Sequence, residues 1–321
     1  MTISHYLGLI GGLALFLFGM EMLSEGLTAG VGEKLEVILL KLTNHKFKAI
    51  GVGTLLTCLI QSSSAMSVIL IGFLNAHIMS LKRAIWVMMG ANIGTTITGQ
   101  MIALDIGMFA PIIAFVGVFF YFLKKEFYHL CGQVMVALGL LFMGLEMMAQ
   151  SMLPLQHSPT FVDFLMHIQN PVLAVCAGMI FTAIIQSSSA SIGILQILVL
   201  QNLMSFHQAT YFIFGFDLGT CITGFIASLS GCRNGKRLAL FHFLFNAVGA
   251  LSFLVLCQVF PLIDWIAQLT PLSPLHQIAN MHTFYNIMTT LIVLFCEPYL
   301  IQMIQWIYPY HHQNDVKEGK K

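Results

Sequence analysis

Charged side chains are scarce in this sequence: only 8% of its 321 residues are Asp, Glu, Lys or Arg, whereas 58% are hydrophobic. A soluble domain carries about 25% charged residues, so a soluble chain of this length could not cover its surface. The balance indicates an all-α polytopic membrane protein in contact with a lipid bilayer. The formal net charge of +1 provides no basic face, which excludes nucleic acid as a partner.

The sequence also lacks any Cys-x-x-Cys pair, and its seven cysteines are scattered. This spacing is unlike a disulfide framework or a transition-metal site, so we interpret the cysteines as small apolar side chains between helices. No Lys or Arg precedes the first apolar run, and a cleaved signal peptide is therefore not expected.

What the sequence does contain is an internal repeat. The string Gln-Ser-Ser-Ser-Ala at residues 61–65 recurs at residues 186–190, an offset of 125 (186 − 61). The same offset relates two further motif pairs, residues 19–22 with 144–147 and residues 90–95 with 215–220. We therefore divide the chain into repeat 1 (1-129), repeat 2 (130-260), an extra transmembrane helix (261-308) and a cytoplasmic tail (309-321).

Seven apolar runs approach or exceed the roughly 20 residues that a helix needs to cross a bilayer. They lie near 5–28, 84–103, 107–123, 130–150, 209–230, 237–260 and 281–305. The two segments around the serine motifs, 48–76 and 171–200, differ, because polar residues split each into two short arms. An arm of about 12 residues reaches only about 18 Å, less than the ~30 Å hydrocarbon core. Each segment is thus a broken crossing helix or a re-entrant hairpin.

The basic residues distinguish these two possibilities. With two re-entrant hairpins the chain makes about seven crossings, and all 14 Lys and Arg residues fall on the cytoplasmic side, as the positive-inside rule requires. If the first segment crossed, Lys46 and Lys82 would face opposite sides. We therefore predict hairpins near 48-76 and 171-200, an inner-membrane location, the N-terminus outside and the C-terminus cytoplasmic. Each repeat contains three crossings, an odd number, so the second repeat is inverted relative to the first. Inverted repeats are typical of secondary transporters.

Polar residues at membrane depth need a reason, because each unsatisfied group there is costly. At a hairpin tip the second arm begins a helix, whose free N–H groups and positive dipole end suit an oxyanion. The tips contain no Lys or Arg, so co-bound cations would neutralise the anion and symport would follow. The alternative is that serine only packs helices closely, but a string present twice favours a site. The candidate anion ligands are Ser62, Ser63, Ser64, Ser187, Ser188 and Ser189.

Side-chain oxygens near the tips suit an alkali cation. The Gly- and Thr-rich residues 90–99 predict a locally unwound helix with free carbonyls, unless they form a small-residue packing face. Asp217 replaces Asn92 in the second repeat, and it is a cation ligand, a protonation site or a neutral carboxyl between helices. The candidate cation ligands are Gln61, Gln186, Asn92, Thr95, Thr98, Asp217, Thr220 and Thr223. Two His-x-x-x-Asn pairs, beginning at His242 and His282, either line the cavity or join helices.

The paired Gln-Ser-Ser-Ser motifs, each followed by Gly-x-Asn-Ile-Gly-Thr-Thr or a variant 29 residues later (90 − 61), resemble the type II sodium-dependent phosphate cotransporter family over about residues 8–300. The resemblance implies phosphate as substrate, sodium as coupling ion and alternating access. It assigns the two Gln-Ser-Ser-Ser motifs to phosphate and sodium, and it matches Asn92 and Thr95 to the Asn-Ile-Gly-Thr stretch. The second copy departs from the pattern at Asp217 and Cys221.

We therefore predict a sodium-coupled importer of inorganic phosphate that is not an enzyme and needs no cofactor besides its coupling ions. Many bacterial relatives continue into a soluble domain resembling the phosphate-uptake regulator, so regulation here would need a separate protein. One alternative is another oxyanion or a small carboxylate as substrate, with proton coupling at Asp217. A remote alternative is an intramembrane serine hydrolase with His242 or His282 as base, although no Gly-x-Ser-x-Gly elbow is present.

Overall fold

The computed structural model describes residues 2–29, 32–104, 106–158, 168, 170–229 and 231–309. Within these residues every regular element is helical, which confirms the all-α polytopic class. The helices are α1 (Ile3–Thr28), α2 (Gly32–Leu42), α3 (Lys46–Ile60), α4 (Ser63–Asn75), α5 (Leu81–Ala103), α6 (Ala110–Tyr121), α7 (Glu126–Met152), α8 (Pro171–Ile185), α9 (Ser188–Leu200), α10 (Phe206–Ser228), α11 (Arg233–Val259), α12 (Leu262–Leu269) and α13 (Pro274–Ile307).

All seven predicted apolar runs lie in helices, but not all of them are equally suited to cross a membrane. Among the described residues, α1, α7, α10, α11 and α13 are long and apolar enough to span a bilayer. Helices α5 and α6 meet these criteria only as a pair, which is bent by 73°. The 12 residues of α6 rise only about 18 Å. The described chain therefore has five candidate spans, or six if the bent pair is one span, fewer than the seven crossings predicted from the sequence.

The repeat offset appears in the helix boundaries. Helices α3 and α8, α4 and α9, and α5 and α10 differ by 125 at both of their ends (171 − 46 and 228 − 103 for the outermost). The four non-glycine residues with positive φ also form two pairs at this offset, Gln61 with Gln186 and His77 with Asn202. The two halves thus share local structure. Their inverted orientation and the domain limits stay predictions, and residues 310–321 of the tail lie outside the described residues.

Glycine lets the repeat helices approach each other closely. Helix α3 packs on α5, and α8 packs on α10 in the same way. A Cβ atom added at Gly90 would lie 2.0 Å from the Ile50 carbonyl oxygen, and one added at Gly215 would lie 2.1 Å from the Val175 carbonyl oxygen. Neither position could hold a larger residue without a backbone shift.

This packing corrects one prediction from the sequence. Residues 90–99 were expected to unwind, but α5 is helical throughout Leu81–Ala103 and α10 throughout Phe206–Ser228. The glycines serve helix contact rather than backbone freedom, and the small-residue packing face is the correct interpretation. Free carbonyls of an unwound segment are therefore not available as cation ligands.

Two further contacts organise the whole molecule. The symmetry-related helices α1 and α7 lie along each other, and a Cβ atom at Gly12 or at Gly144 would lie 2.8 or 2.6 Å from the carbonyl oxygen of the other glycine. Helix α13, which follows the repeats, packs against α5, α9, α10 and α11. It therefore contacts elements of both halves.

Candidate functional site

Each serine motif lies at a break between two helices. Helix α3 ends at Ile60, Gln61 adopts the left-handed conformation (φ 57°), and α4 begins after Ser62. Gln186 repeats this conformation (φ 61°) between α8 and Ser187. A left-handed non-glycine residue is uncommon, and such conformations cluster at functional sites. Here the conformation occurs twice at equivalent positions.

The first serine of each motif caps the helix that follows. The Ser62 Oγ accepts a hydrogen bond from the Ala65 backbone N–H at 3.1 Å, and the Ser187 Oγ accepts one from the Ala190 N–H at 3.2 Å. This is the N-cap interaction that serine favours. The cap begins a new helix directly after the left-handed glutamine, so the local sequence explains why the chain breaks at this point.

The chain also bends sharply at the second break. The Thr182 hydroxyl donates to the Ser191 Oγ at 2.8 Å, although residues nine positions apart in a straight helix would be separated by about 13.5 Å along the axis. Helices α3 and α4 likewise contact each other across the first break. A straight helix through the second motif is thereby excluded, whereas entry and exit on one side of a membrane stays a prediction.

Thr98 on α5 connects the two tips. Its hydroxyl donates to the Gln61 Oε1 at 2.6 Å and accepts a hydrogen bond from the Ser189 hydroxyl at 3.2 Å. A threonine hydroxyl has one proton and two lone pairs, so both contacts are satisfied together. A side chain from each tip therefore lies within one hydrogen bond of the same atom, and the two motifs meet inside the fold.

The tips present donors rather than charges. Ser63 and Ser64 begin α4, and Ser188 and Ser189 begin α9. The first N–H groups of a helix have no partner within it, and the positive end of the helix dipole lies there. Ser63, Ser188 and Ser189 are buried, whereas the other three motif serines, Ser62, Ser64 and Ser187, are partly exposed. The arrangement offers N–H and O–H donors to an anion.

The two glutamines are not in equivalent environments. Gln61 is 4% exposed, its amide nitrogen donates to the Cys58 carbonyl, and the Ser24 hydroxyl holds the adjacent Ile60 carbonyl at 2.7 Å. Gln186 is exposed, and the described residues provide no hydrogen bond to its side chain. The Gln61 side chain is therefore enclosed, whereas the Gln186 side chain is exposed in this structure.

The predicted cation ligands on α5 and α10 are mostly buried. Asn92, Thr95, Thr98, Asp217 and Thr220 are each no more than 2% exposed, and Thr223 is partly exposed. The Thr220 hydroxyl donates to the Asp217 carbonyl, and the Thr223 hydroxyl donates to the Thr220 carbonyl, both at 2.8 Å. Donation to the helix backbone leaves the lone pairs of these hydroxyls available to a cation.

The two His-x-x-x-Asn pairs make helix–helix hydrogen bonds to the positions of Asn92 and Asp217. His242 Nε2 on α11 lies 3.4 Å from Asn92 Oδ1, and His282 Nε2 on α13 lies 3.4 Å from Asp217 Oδ1. The signal in the sequence was the i, i+4 spacing, which places His and Asn on one helix face. Their partners could not be read from that spacing alone.

Neither histidine is placed as the base of a serine nucleophile. Within the described residues, the structure shows no hydrogen bond between His242 or His282 and a serine of either motif, which a nucleophile and its base would need. The tips instead bring together hydroxyl, amide and backbone donors, the groups that a binding site for an anion would need.

A helical bundle with two equivalent capped tips that meet at one threonine is the arrangement of a multi-pass membrane transporter. The family described as Na+/Pi-cotransporter matches residues 15–150 and 158–267, and this chain belongs to that family. The family match supports phosphate transport, and the long apolar helices support a multi-pass membrane protein.

Three relatives show the range of similarity. The Uncharacterized protein YqeW of Bacillus subtilis is 34% identical over 280 residues, which are 87% of this chain and 90% of that protein. The Putative inorganic phosphate export protein YjbB of Escherichia coli is 27% identical over 301 residues, 93% of this chain but 54% of that protein, so this chain spans about half of it. The human Sodium-dependent phosphate transport protein 2B is 42% identical over 53 residues, 16% of this chain and 8% of that protein. No solved structure gives a significant match.

Proposed function

We propose that this protein is a secondary transporter that imports inorganic phosphate together with sodium ions across the inner membrane by alternating access. The observation that carries the proposal is the contact of Gln61 and Ser189 with the one hydroxyl of Thr98. Two tips from equivalent halves, each capped in the same way, thereby form one site between them. We place the N-terminus outside and the C-terminus in the cytoplasm.

Phosphate would bind at the starts of α4 and α9, where the six motif serines supply hydroxyls and the first helical turns supply free N–H groups. The motifs contain no Lys or Arg, so a divalent or monovalent phosphate lacks a fixed counter-charge there. Sodium ions held by the oxygens of Gln61, Gln186 and the nearby threonines, with Asn92, would supply it. Asp217 would hold a further sodium ion. Substrate and coupling ion would then bind cooperatively, because each lowers the electrostatic cost of the other.

The direction of transport follows from the gradients. A net positive charge that moves inward with phosphate gains about 2.3 kcal/mol per 100 mV of membrane potential, and this favours import. Export is the second candidate, because the relative that covers 93% of this chain is named a phosphate export protein. A symporter is reversible, so the same site serves both directions. The electrochemical gradient of the coupling ion determines which direction is favoured.

The test is uptake of radiolabelled phosphate into proteoliposomes that contain the purified full-length chain. We expect an inward sodium gradient to drive accumulation and an equal potassium gradient to drive none. Accumulation that is indifferent to sodium would refute the coupling. Phosphate that leaves preloaded vesicles down its gradient but never enters against it under a sodium gradient would favour export.

Substrate and site are tested in the same assay. Stronger competition by sulfate or a dicarboxylate than by arsenate would point to another anion, and a proton gradient that replaces sodium would point to proton coupling. We expect Ser63→Ala with Ser188→Ala to reduce uptake at least about tenfold, the effect of losing charge-assisted donors. Ser228→Ala is the control, because Ser228 is also buried but donates to the Phe225 carbonyl outside the motifs.

A further inference from the structure

Asp217 is a buried carboxylate without a fixed cationic partner. It is 1% exposed, and its two oxygens are contacted by His282 Nε2 at 3.4 Å and by the Asn286 amide nitrogen at 2.8 Å. No Lys or Arg among the described residues forms an ion pair with it. His282 is the ion-pair candidate for Asp217 among the described residues, and it is a cation only when protonated. A buried charge must be paired or must coordinate an ion, so with His282 neutral a bound cation would balance the charge of Asp217.

Two amide oxygens near Asp217 also have no partner. Oδ1 of Asn246 and Oδ1 of Asn286 are fully buried without a hydrogen bond. The amide orientations are determined by acceptors: Asn246 Nδ2 donates to the Asp217 carbonyl at 3.0 Å and to Cys221 Sγ at 3.3 Å, and Asn286 Nδ2 donates to Asp217 Oδ2 and to the His282 carbonyl. Turning either amide would place two acceptors against each other.

The Asn246 amide contacts the backbone carbonyl of Asp217 and the Asn286 amide contacts its carboxylate, so both amides with an unpartnered oxygen lie against Asp217, between α10, α11 and α13. Buried acceptors are rarely left without a donor or a cation. Carboxylate and amide oxygens are the ligands that hard cations prefer. The other titratable groups in this region are Cys221, His242 and Tyr285, along with His282, and none of them carries a permanent positive charge.

We propose that Asp217, Asn246 and Asn286 form a binding site for one monovalent alkali cation, separate from the two serine tips. The identity of the ion as sodium rests on the proposed function. Asp217 lies six residues before Thr223, the counterpart of Thr98 (223 − 217), which is about 9 Å along the helix. The cation is held by groups from α10, α11 and α13, not by the tips.

The site exists in only one half of the molecule. The equivalent position in repeat 1 is Asn92, a neutral side chain that contacts His242. Helix α13, which supplies Asn286, follows the second repeat and has no counterpart in the first. The internal symmetry of the chain therefore yields two similar tips but one carboxylate site, which adds one cation to those that accompany phosphate.

The site is tested by sodium binding in the absence of phosphate. Thermal unfolding of the purified full-length protein in detergent is followed while sodium chloride replaces choline chloride at constant ionic strength, which removes the effect of screening. We expect sodium to raise the Tm of the wild-type protein. The sodium concentration for half of this effect should rise at least tenfold in Asp217→Asn and in Asn286→Ser. The Ser63→Ala, Ser188→Ala variant should retain a saturable effect.

Thr210→Val is the matched control, because Thr210 is a buried hydroxyl on the same helix that bonds only the Phe206 carbonyl. Its sodium response should equal that of the wild type. Asp217→Asn conserves size and shape, and it provides a folded variant if Asn286→Ser does not fold.

Three results would overturn the inference. The first is a wild-type Tm that does not change with sodium, and the second is a half-effective sodium concentration that is the same in Asp217→Asn as in the wild type. The third is a Tm that depends on pH but not on sodium, with the pH dependence lost in Asp217→Asn. The last result would make the region a proton site. If the protein takes up phosphate with sodium but Asp217→Asn and Asn286→Ser keep the wild-type half-effective sodium concentration, this site is refuted and the proposed function stands. A sodium site that Asp217→Asn abolishes, in a protein without phosphate uptake, would refute the function and leave the site.

Discussion

Backbone oxygens surround several glycines so closely that a single methyl group decides whether two helices can meet. At Gly90 an added Cβ would lie 2.0 Å from the Ile50 carbonyl oxygen, and at Gly94 it would lie 2.4 Å from the Thr54 carbonyl oxygen. These contacts hold α5, with Asn92 and Thr98, against α3. Helix α5 can therefore carry Asn92 and Thr98 to their positions only because Gly90 and Gly94 have no side chain.

We predict that Gly90→Ala destabilises the protein, whereas Gly72→Ala does not. Overpacking against a backbone carbonyl costs about 1–3 kcal/mol. At Gly72 no atom lies within 4 Å of the added Cβ, and alanine in a helix is more favourable than glycine by roughly 0.5–1 kcal/mol. Thermal unfolding in detergent measures both. Equal Tm changes for the two variants would show that α3 and α5 are not in close contact.

A second residue-scale prediction separates helix capping from anion binding. Ser187→Asp keeps an N-cap acceptor for the Ala190 N–H and places a negative charge at a helix N-terminus, which is favourable by about 0.3–1 kcal/mol. We expect the Tm to be unchanged or raised and phosphate uptake to be lost, because the carboxylate repels the anion. Ser187→Ala should instead lower stability by about 1 kcal/mol.

Ser205→Asp is the control for the Ser187→Asp variant. Ser205 caps α10 by accepting from the Gln208 N–H at 3.2 Å, and it lies outside both motifs. Uptake should be retained there. Full uptake by Ser187→Asp would contradict phosphate binding at the second tip.

At the scale of elements, the repeat in the sequence predicts more than the hydropathy does. The offset of 125 obtained from the serine motifs is the offset of the boundaries of α3, α4 and α5 relative to α8, α9 and α10. Helix breaks at Gln61 and Gln186 were also expected, because polar residues interrupt an apolar run and serine caps the next helix. These features are local, and local sequence determines them.

Features that depend on partners were not predictable in the same way. The glycines of residues 90–99 were interpreted as a source of backbone freedom, because the sequence alone does not show that α3 lies against them. The contacts of His242 and His282 were left as alternatives for the same reason, since their partners on α5 and α10 are remote in the chain. The limited length of α6 depends on the bend after α5. Pro111 in the first turn of α6 signals a helix start, but it does not signal the angle between the two helices.

An ion pair joins the start of α3 to α13. Glu297 is 2% exposed, pairs with Lys46 at the start of α3 and accepts a hydrogen bond from the Trp86 indole at 2.8 Å. The lysine side chain is 31% exposed and the glutamate side chain 3%. Water can therefore solvate Lys46 if the ion pair is lost, but it has little access to Glu297.

We predict that Lys46→Met costs more stability than Glu297→Gln. Without Lys46 a buried carboxylate loses its counter-charge, which costs about 3 kcal/mol or more. Without the Glu297 charge the lysine reaches water and the Trp86 contact persists, so the loss is about 1 kcal/mol or less. The double variant should recover part of the stability lost in Lys46→Met. Thermal unfolding of the two single variants and the double variant completes this double-mutant cycle. Lys48→Met, at an exposed position, serves as the control. Additive losses would show that the two residues do not interact.

The whole molecule combines equivalent halves in unequal states. Gln61 is enclosed and bonded to Thr98, whereas Gln186 is exposed and the hydroxyl of Thr223 is turned to its own helix. In transporters built from two repeats, exchange of such states between the halves opens the site to alternate sides. Under the proposed alternating access, we predict that this difference between Gln61 and Gln186 belongs to one conformation and that Gln186 contacts Thr223 in the other.

This reasoning predicts different effects for two substitutions that the repeat makes equivalent. Thr98→Val leaves the buried Gln61 Oε1 without its donor, which costs about 1–3 kcal/mol, so the Tm should fall. Thr223→Val removes no contact with a tip in this structure, so the Tm should stay within about 0.5 kcal/mol of the wild type. Its phosphate uptake should nevertheless fall, because the state in which Gln186 closes loses its partner. Equal Tm losses in the two variants, or full uptake by Thr223→Val, would contradict an exchange of states between the halves.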